Sequence, residues 1–194
     1  NLERSKLVAF GSTRRVNGDA AQDATLANLL AAETEVVCIV GKASAYHVTE
    51  ALRTSLDEGV AMVADSIRYL KSRGRTVFFD AEHFFDGYRA DPDFSLRVLQ
   101  GAAEAGADCL VLCDTNGGSL PGQVQEMVAV VVAAVDCEVG VHPPNGTRRG
   151  VAYALPGVAC GVTPVQGAIN RYGEPVGHCH LEATIGYPRV QIRG

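Results

Sequence analysis

Polar side chains of the types that enzymes use follow four short apolar segments of this chain. The apolar segments are Val77–Phe79, Leu110–Leu112, Glu138–Val141 and Pro164–Val165. The polar residues that come after them are Asp80, Glu82, His83, Asp114, Thr115, Asn116, His142, Gln166 and Asn170. Carboxylates and imidazoles transfer protons and bind cations, whereas hydroxyl and amide groups hydrogen-bond substrates. The pattern indicates an enzyme that directs these groups at one face of its fold.

Segments with the spacing of amphipathic helices separate the apolar segments, and this alternation predicts a parallel α/β fold. Six strands are predicted, at Leu7–Phe10, Glu35–Val40, Thr76–Phe79, Cys109–Cys113, Glu138–Val141 and Val162–Gly167. The main helices are predicted at Ala20–Ala32, Thr49–Ser72, Asp93–Ala105 and Pro121–Val135. Parallel α/β enzymes carry their catalytic groups at the carboxyl ends of the strands, which is where the polar residues fall.

Six parallel strands with intervening helices fit either an open doubly wound sheet or a barrel. No G-x-G-x-x-G loop follows the first strand, so the phosphate-binding loop of a dinucleotide-binding fold is missing from the sequence. Polar residues at the ends of four separate strands favour the barrel. We predict an α/β protein of the TIM (β/α)8-barrel type. It is incomplete, with about six of the eight βα units and the first two missing, and forms a single catalytic domain over residues 1–194.

Composition excludes several classes of partner. The formal net charge is −5, and no run of lysine or arginine is present, which argues against a nucleic acid as the main partner. No apolar stretch approaches the roughly 20 residues that a membrane helix needs. The charged start, Asn1–Lys6, does not resemble a signal peptide. We expect a cytoplasmic protein that acts on small molecules.

The six cysteines form no metal-binding or redox motif. They are scattered, without C-x-x-C spacing, at Cys38, Cys109, Cys113, Cys137, Cys160 and Cys179. We expect small buried thiols in a reducing compartment. A catalytic thiol is the alternative interpretation, and the sequence offers no neighbour that would obviously activate one.

Long motifs around the strand ends resemble the citramalate synthase family. The motifs that carry the resemblance are Phe10–Arg15 (FGSTRR), Asp80–Tyr88 (DAEHFFDGY), Leu112–Gly118 (LCDTNGG), Val165–Asn170 (VQGAIN) and Tyr172–Glu174 (YGE). Citramalate synthases belong with the 2-isopropylmalate and homocitrate synthases among the DRE-type TIM-barrel metal enzymes. The resemblance extends over essentially the whole chain.

The resemblance implies a Claisen-type condensation in branched-chain amino acid biosynthesis. Acetyl-CoA adds to the ketone of a 2-oxo acid, pyruvate in the case of (R)-citramalate, and the thioester is then hydrolysed. The family's chemistry uses a divalent metal ion, Mg or Mn and possibly Zn, which chelates the 2-oxo acid and polarises its carbonyl. A base takes a proton from the acetyl methyl group, and a hydrogen-bonding or cationic group stabilises the alkoxide. The full-length family is usually dimeric, which implies a homodimer.

Four residues match positions that have a role in that family. Glu82 matches a strand-end glutamate of the substrate pocket, and Thr115 matches a threonine that hydrogen-bonds the 2-oxo acid carboxylate. His142 matches the first histidine of a metal-binding H-x-H pair, and His178 lies where the family has an asparagine close to the metal. The resemblance thus implies catalytic roles for Glu82 and Thr115 and metal binding by His142 and His178. Asp80, two residues before Glu82, is expected on the same strand face.

The chain also departs from the family pattern. The family's opening strand, with its arginine and metal-binding aspartate, has no counterpart, so we expect exposed sheet edges and an uncovered apolar face. Pro144 stands at the second metal histidine, and His178 or His180 could compensate. Gly150 and Pro156 fall where a helix should run, and proline costs roughly 3 kcal/mol inside a helix. We expect the chain by itself to be inactive.

Other polar residues have simple structural interpretations. Asp114 and Asn116 can equally shape the Asn-Gly turn. His47 is expected near a helix start without a chemical role. Arg14 and Arg15 could contact a CoA phosphate, but a solvated loop is the favoured interpretation.

Three functions are weighed. The first is an acyltransferase of the citramalate synthase type. The second is a C–C lyase of the 3-hydroxy-3-methylglutaryl-CoA lyase type, because the same strand-end groups can run the reverse, aldol-like step. The third is a non-catalytic remnant of the synthase, which Pro144 favours.

Overall fold

The computed structural model describes residues 5–143, 150–171 and 178–191. Its strands are β1 (Val8–Ser12), β2 (Val36–Lys42), β3 (Thr76–Glu82), β4 (Cys109–Cys113) and β5 (Glu138–His142). Its α-helices are α1 (Ala24–Ala31), α2 (Leu56–Ser72), α3 (Phe84–Ala90), α4 (Pro92–Glu104), α5 (Pro121–Ala134), α6 (Gly150–Ala159) and α7 (Leu181–Gln191). Two 3-10 turns lie at Ala20–Gln22 and Ile169–Arg171, and a π-helical turn lies at His47–Ala51. In these ranges, no helix has both the length and the apolar character to cross a membrane.

The five strands form one parallel sheet in the order in which they occur along the chain. Helices connect successive strands, as parallel pairing requires. This neighbour order is that of a barrel, so the predicted fold class, a parallel α/β protein consistent with an incomplete barrel, is confirmed. The sheet has five strands, whereas a closed TIM barrel has eight.

The sixth predicted strand is reduced to a short pairing beside β5. Val141 and Val165 form an isolated parallel bridge, and the Val141 amide donates to the Pro164 carbonyl at 3.0 Å. The Thr163 and Gln166 amides also donate to the Val139 and Val141 carbonyls, at 3.2 and 3.0 Å. Pro164 between them has no N–H group to donate, so the pairing does not become a regular strand.

The edge strand β1 presents apolar side chains to solvent. Phe10 is 64% exposed, and Leu7 and Val8 are exposed beside it. In a closed barrel this strand would be covered on both faces. The predicted exposed edge and uncovered apolar face are therefore present.

Strand alternation divides the central sheet into a face that packs in the hydrophobic core and a face that lines a cavity. Ile39, Phe79 and Leu110 are fully buried in the main hydrophobic core. The residues that alternate with them, including Cys38 and Asp80, line a cavity on the opposite face. All five residues of β4 are buried, as its unbroken apolar sequence predicts.

The predicted helix over Thr49–Ser72 is interrupted. The π-helical turn ends at Ala51, Arg53 has a left-handed φ of 55°, and α2 begins only at Leu56. Ser55 caps α2, because its side chain accepts a hydrogen bond from the Glu58 amide. The short helix α3 and the helix α7 were not predicted.

The expectation that Gly150 and Pro156 would prevent a helix is wrong, since α6 runs through both residues. Tyr153 and Ala154 of this helix are buried in the core. Gly157 lies against Val141, where a Cβ atom would come within 3.4 Å of the valine side chain. Tertiary packing of this apolar face outweighs the local cost of the proline.

Arg14 lies in the protein interior, so the interpretation of its segment as a solvated loop is wrong for this residue. Its side chain is 4% exposed and forms ion pairs with Glu58 at 2.6 Å and Asp65 at 2.8 Å. The Arg14 amide also donates to Ser66 Oγ at 2.9 Å. These contacts attach the end of β1 to α2, whereas Arg15 is exposed.

Replacement of Arg14 by alanine should leave Glu58 partly buried without its partner. We expect the free energy of unfolding to fall by about 2 kcal/mol, less than for a fully buried pair because Asp65 is half-exposed. Hydrogen bonding to Arg14 lowers the pKa of Glu58 below its ordinary value of 4.5. This stabilisation is therefore complete above that value and is lost as the pH falls through the folded-state pKa. Urea denaturation at pH 7 and pH 3.5 measures both effects. Arg15→Ala is the matched control, and equal losses in the two variants would contradict the assignment.

Proline at position 156 should reduce the stability of α6. We expect Pro156→Ala to raise the free energy of unfolding by about 1–3 kcal/mol, since alanine restores the helical N–H group and removes the steric clash. Pro121→Ala is the control, because Pro121 occupies the first turn of α5, where proline is tolerated. Chemical denaturation of the two variants decides the matter. If the free energy of unfolding rises in both variants or in neither, Pro156 does not specifically destabilise α6.

Candidate active site

A cavity of about 1160 Å³ lies over the face of the sheet opposite the main hydrophobic core. All four residues that the family resemblance singles out line it, namely Glu82, Thr115, His142 and His178. Glu82 and His142 are the last residues of β3 and β5, and Thr115 follows β4 by two residues. The carboxyl ends of adjacent parallel strands meet at one edge of a sheet, which is why residues so far apart in the chain share this cavity.

Asp80 is the most deeply buried carboxylate of the cavity, at 5% exposure. Its Oδ1 atom accepts hydrogen bonds from Cys38 Sγ at 3.2 Å and from Gln166 Nε2 at 2.8 Å. Burial raises the pKa of Asp80, and the two hydrogen bonds and nearby His142 act in the opposite direction.

His142 is held between Gln166 and His178. Its Nδ1 atom lies 2.5 Å from Gln166 Oε1, and its Nε2 atom lies 2.9 Å from His178 Nδ1. The Gln166 amide group donates to Asp80, so its Oε1 atom accepts, and His142 Nδ1 must carry the proton. The lone pair of Nε2 is then available to a proton of His178 or to a cation. This is how outer-shell groups orient a metal-binding histidine.

Glu82 forms an ion pair with Lys42, a residue that sequence reasoning missed. The two residues are register partners at the ends of β3 and β2. Lys42 could have been found from the sequence, because it is the polar residue that directly follows the apolar part of the second strand.

His83 follows β3 in the left-handed region, with φ of 58°, and its ring stacks on His47 with the centroids 3.7 Å apart. Burial lowers the pKa of His83, and nearby His47 adds to this effect. His47 lies in the π-helical turn rather than at the start of a regular helix, and the proposed absence of a chemical role is untested.

Thr115 is oriented by the backbone, since its Oγ1 atom accepts a hydrogen bond from the His83 amide at 2.9 Å. Its own hydroxyl proton is therefore directed elsewhere. Asp114 accepts hydrogen bonds from the amide and hydroxyl of Ser119, and Asn116 donates to Asp86 at 2.5 Å. These two residues serve the loop after β4, in agreement with their structural interpretation.

The donor set around His142 fits a divalent cation. One ligand atom each from Asp80, Cys113 and His142 lie within 4.8 Å of one another. His142 and His178 offer two nitrogen atoms 2.9 Å apart, a separation at which two imidazoles either share a proton or bind the same ion. His180 lies near Glu182, at 3.3 Å, and is not among the described residues that line the cavity. Pro144, predicted to replace a metal ligand, lies outside the described residues.

A parallel α/β sheet with its polar groups gathered at the strand ends defines a protein of the TIM-barrel class. The chain belongs to the HMGL-like family, whose model matches residues 2–188.

Sequence relatives include several synthases. The chain is 49% identical over 181 residues to the (R)-citramalate synthase of Streptomyces coelicolor, covering 93% of the chain and 34% of that protein. It is 44% identical over 192 residues to the (R)-citramalate synthase of Geobacter sulfurreducens, covering 99% and 36%. A homocitrate synthase of Methanopyrus kandleri is 34% identical over 142 residues, covering 73% and 35%. The chain thus spans about a third of the length of these relatives.

Solved structures agree on the fold. The HMG-CoA lyase of Bacillus subtilis superposes with a TM-score of 0.80 at 17% identity, covering 97% of this chain and 64% of that chain. The carboxyl transferase domain of Rhizobium etli pyruvate carboxylase gives a TM-score of 0.66 at 13% identity, covering 97% and 31%. At such identities the likeness shows the barrel-type fold alone.

Gln166 should determine which nitrogen of His142 carries the proton. We expect the Nδ1–H form in the protein and a shift toward the Nε2–H form in Gln166→Leu, which has no acceptor. Long-range ¹H–¹⁵N correlation spectra of the histidine rings at pH 8 distinguish the two forms. Gln22→Leu is the control, because Gln22 lies in an exposed turn far from the sheet. An unchanged His142 spectrum in Gln166→Leu would rule out this role.

Proposed function

We propose that this chain forms the strand-end part of an acyltransferase site that condenses acetyl-CoA with pyruvate to give (R)-citramalate. One observation carries the proposal. A chain 40–49% identical to five (R)-citramalate synthases brings Glu82, Thr115, His142 and His178 to one cavity. The product would enter branched-chain amino acid biosynthesis. Because the chain spans only about a third of those synthases, the activity of the whole protein is itself part of the proposal.

Thr115 is proposed to bind the substrate carboxylate. Its oxygen accepts the His83 amide, so its hydroxyl proton is the group left to donate to an anion in the cavity. A hydrogen bond to a charged group contributes about 1.5–3 kcal/mol. Thr115 therefore positions the 2-oxo acid with its keto group toward the other strand ends.

Glu82 is proposed as the acid–base group. It is 27% exposed at the cavity edge, where a substrate can reach it, and its partner Lys42 places a positive charge beside it. A carboxylate here can accept a proton from the acetyl methyl group, and the Lys42 ammonium can stabilise negative charge that develops nearby.

His142 and His178 are proposed to hold the divalent cation, Mg, Mn or Zn, of this site. When bound, the cation would supply Lewis-acid polarisation of the 2-oxo carbonyl. Gln166 keeps His142 in the form with a lone pair on Nε2, and Asp80 in turn orients Gln166. We further propose a cytoplasmic homodimer with acetyl-CoA and a 2-oxo acid as its small-molecule partners.

A chimera tests the function. In the Streptomyces synthase, the 181-residue region that the chain matches is replaced by this chain. Acetyl-CoA is supplied with pyruvate or other 2-oxo acids, and the products are separated by mass spectrometry. Citramalate from pyruvate supports the proposal. Cleavage of 3-hydroxy-3-methylglutaryl-CoA would instead identify a lyase, and a folded chimera without either product would identify a non-catalytic remnant.

Two substitutions test the roles in the same chimera. We expect Glu82→Gln to lower kcat by about 10²–10⁴-fold, the usual contribution of a general base. Thr115→Val should raise KM for pyruvate by about 10-fold or more, the equivalent of one lost charged hydrogen bond. Glu138→Gln and Thr76→Val are matched controls at the amino ends of strands β5 and β3. Similar changes in kcat and KM in the control variants would contradict the proposed roles of Glu82 and Thr115.

A further inference from the structure

Cys113 lies beside His142, and the family resemblance gives it no role. We propose that Asp80, Cys113 and His142 form a three-donor cation site with a thiolate ligand, selective for Zn²⁺ over Mg²⁺ and Mn²⁺. This inference rests on the proposed function in one respect, since it concerns the cation of the same cavity. It adds two donors, Asp80 and Cys113, that the family resemblance does not supply, and a preference for Zn²⁺ among the ions that the resemblance implies.

Strand register places the three donors side by side. Cys113 and His142 are direct partners at the ends of β4 and β5. On the other side of β4, Asp80 pairs with Val111, which lies two residues before Cys113 and therefore on the same face. Neighbouring strands are about 4.8 Å apart, so side chains at these positions converge on a common point above the sheet.

The distances come close to those of a bound ion. The three ligand atoms lie within 4.8 Å of one another. Zinc binds sulfur at about 2.3 Å and nitrogen or oxygen at about 2.0–2.2 Å, so two ligands of one tetrahedral ion are about 3.3–3.7 Å apart. Side-chain rotations that shorten the largest separation by about 1 Å would complete the site.

Burial and charge favour a cation here. Asp80 and Cys113 are 5% and 6% exposed, so both negative forms would lie in a poorly solvated interior. A divalent ion balances one carboxylate and one thiolate, and His142 remains a neutral ligand.

The donor types decide the choice of ion. Mg²⁺ takes oxygen ligands in a near-octahedral arrangement, whereas Zn²⁺ combines sulfur, nitrogen and oxygen donors. The other nearby thiol, Cys38, donates its S–H to Asp80 Oδ1. Both hydrogen bonds that the described residues give to this carboxylate fall on Oδ1, which leaves Oδ2 for the ion.

Cobalt titration tests the thiolate directly. Co²⁺ is added to the metal-free purified chain, and the near-ultraviolet thiolate-to-cobalt charge-transfer band is recorded. We expect the band to saturate at one ion per chain, to be displaced by Zn²⁺, and to resist a hundredfold excess of Mg²⁺. The band should vanish in Cys113→Ser and persist in Cys109→Ser. Cys109 is the matched control, a buried thiol on the same face of β4, about 13 Å along the strand.

X-ray absorption of the unmutated, zinc-loaded chain provides a second test. It does not depend on whether a substituted variant folds. A sulfur shell at about 2.3 Å supports the proposal. The proposal would be overturned by any of four results: cobalt bound without a charge-transfer band, no binding at all, a band that survives in Cys113→Ser, or zinc with only nitrogen and oxygen neighbours.

These measurements do not depend on turnover. Thiolate ligation without citramalate formation would refute the proposed function alone, and citramalate formation without thiolate ligation would refute this inference alone.

Discussion

The alternation of side chains along parallel, in-register strands is the constraint on which the rest of this molecule depends. Phe79 and Asp80 are neighbours in β3, yet one lies in the apolar core and the other lines the cavity on the opposite face. Register then brings the ends of β2, β3, β4 and β5 to one edge. A slip of one residue in any strand would exchange core and cavity residues, so core packing and site geometry are maintained by the same pairing.

The polar network on this face needs its hydrogen bonds paired, because Asp80 is buried and Gln166 and His142 are partly buried. Asp80, Gln166 and His142 form a hydrogen-bonded series, and the amide of Gln166 can satisfy both neighbours in only one orientation. That orientation specifies the protonated nitrogen of His142 and exposes the other one to His178. The hydrogen bonds that satisfy a buried carboxylate therefore also define the tautomer of His142.

Much of the fold follows from local sequence patterns. The five strands and the helices α1, α4 and α5 fall close to their predicted bounds, because apolar periodicity, proline at helix starts and glycine at helix ends are local signals. Two of the failures have long-range causes, because packing of Tyr153 keeps α6 helical despite Pro156 and two carboxylates of α2 hold Arg14 in the interior. The late start of α2 has a local cause, the Ser55 cap.

By itself, the sequence determined the class of fold, the family and the four residues of interest, Glu82, Thr115, His142 and His178, since each rests on residue types at fixed spacing along the chain. Only the tertiary structure decided which side chains meet. The Lys42–Glu82 pair, the Gln166 contacts of His142 and the approach of Cys113 to Asp80 join residues from different strands. Their distances depend on strand register and on the twist of the sheet, which no local pattern encodes.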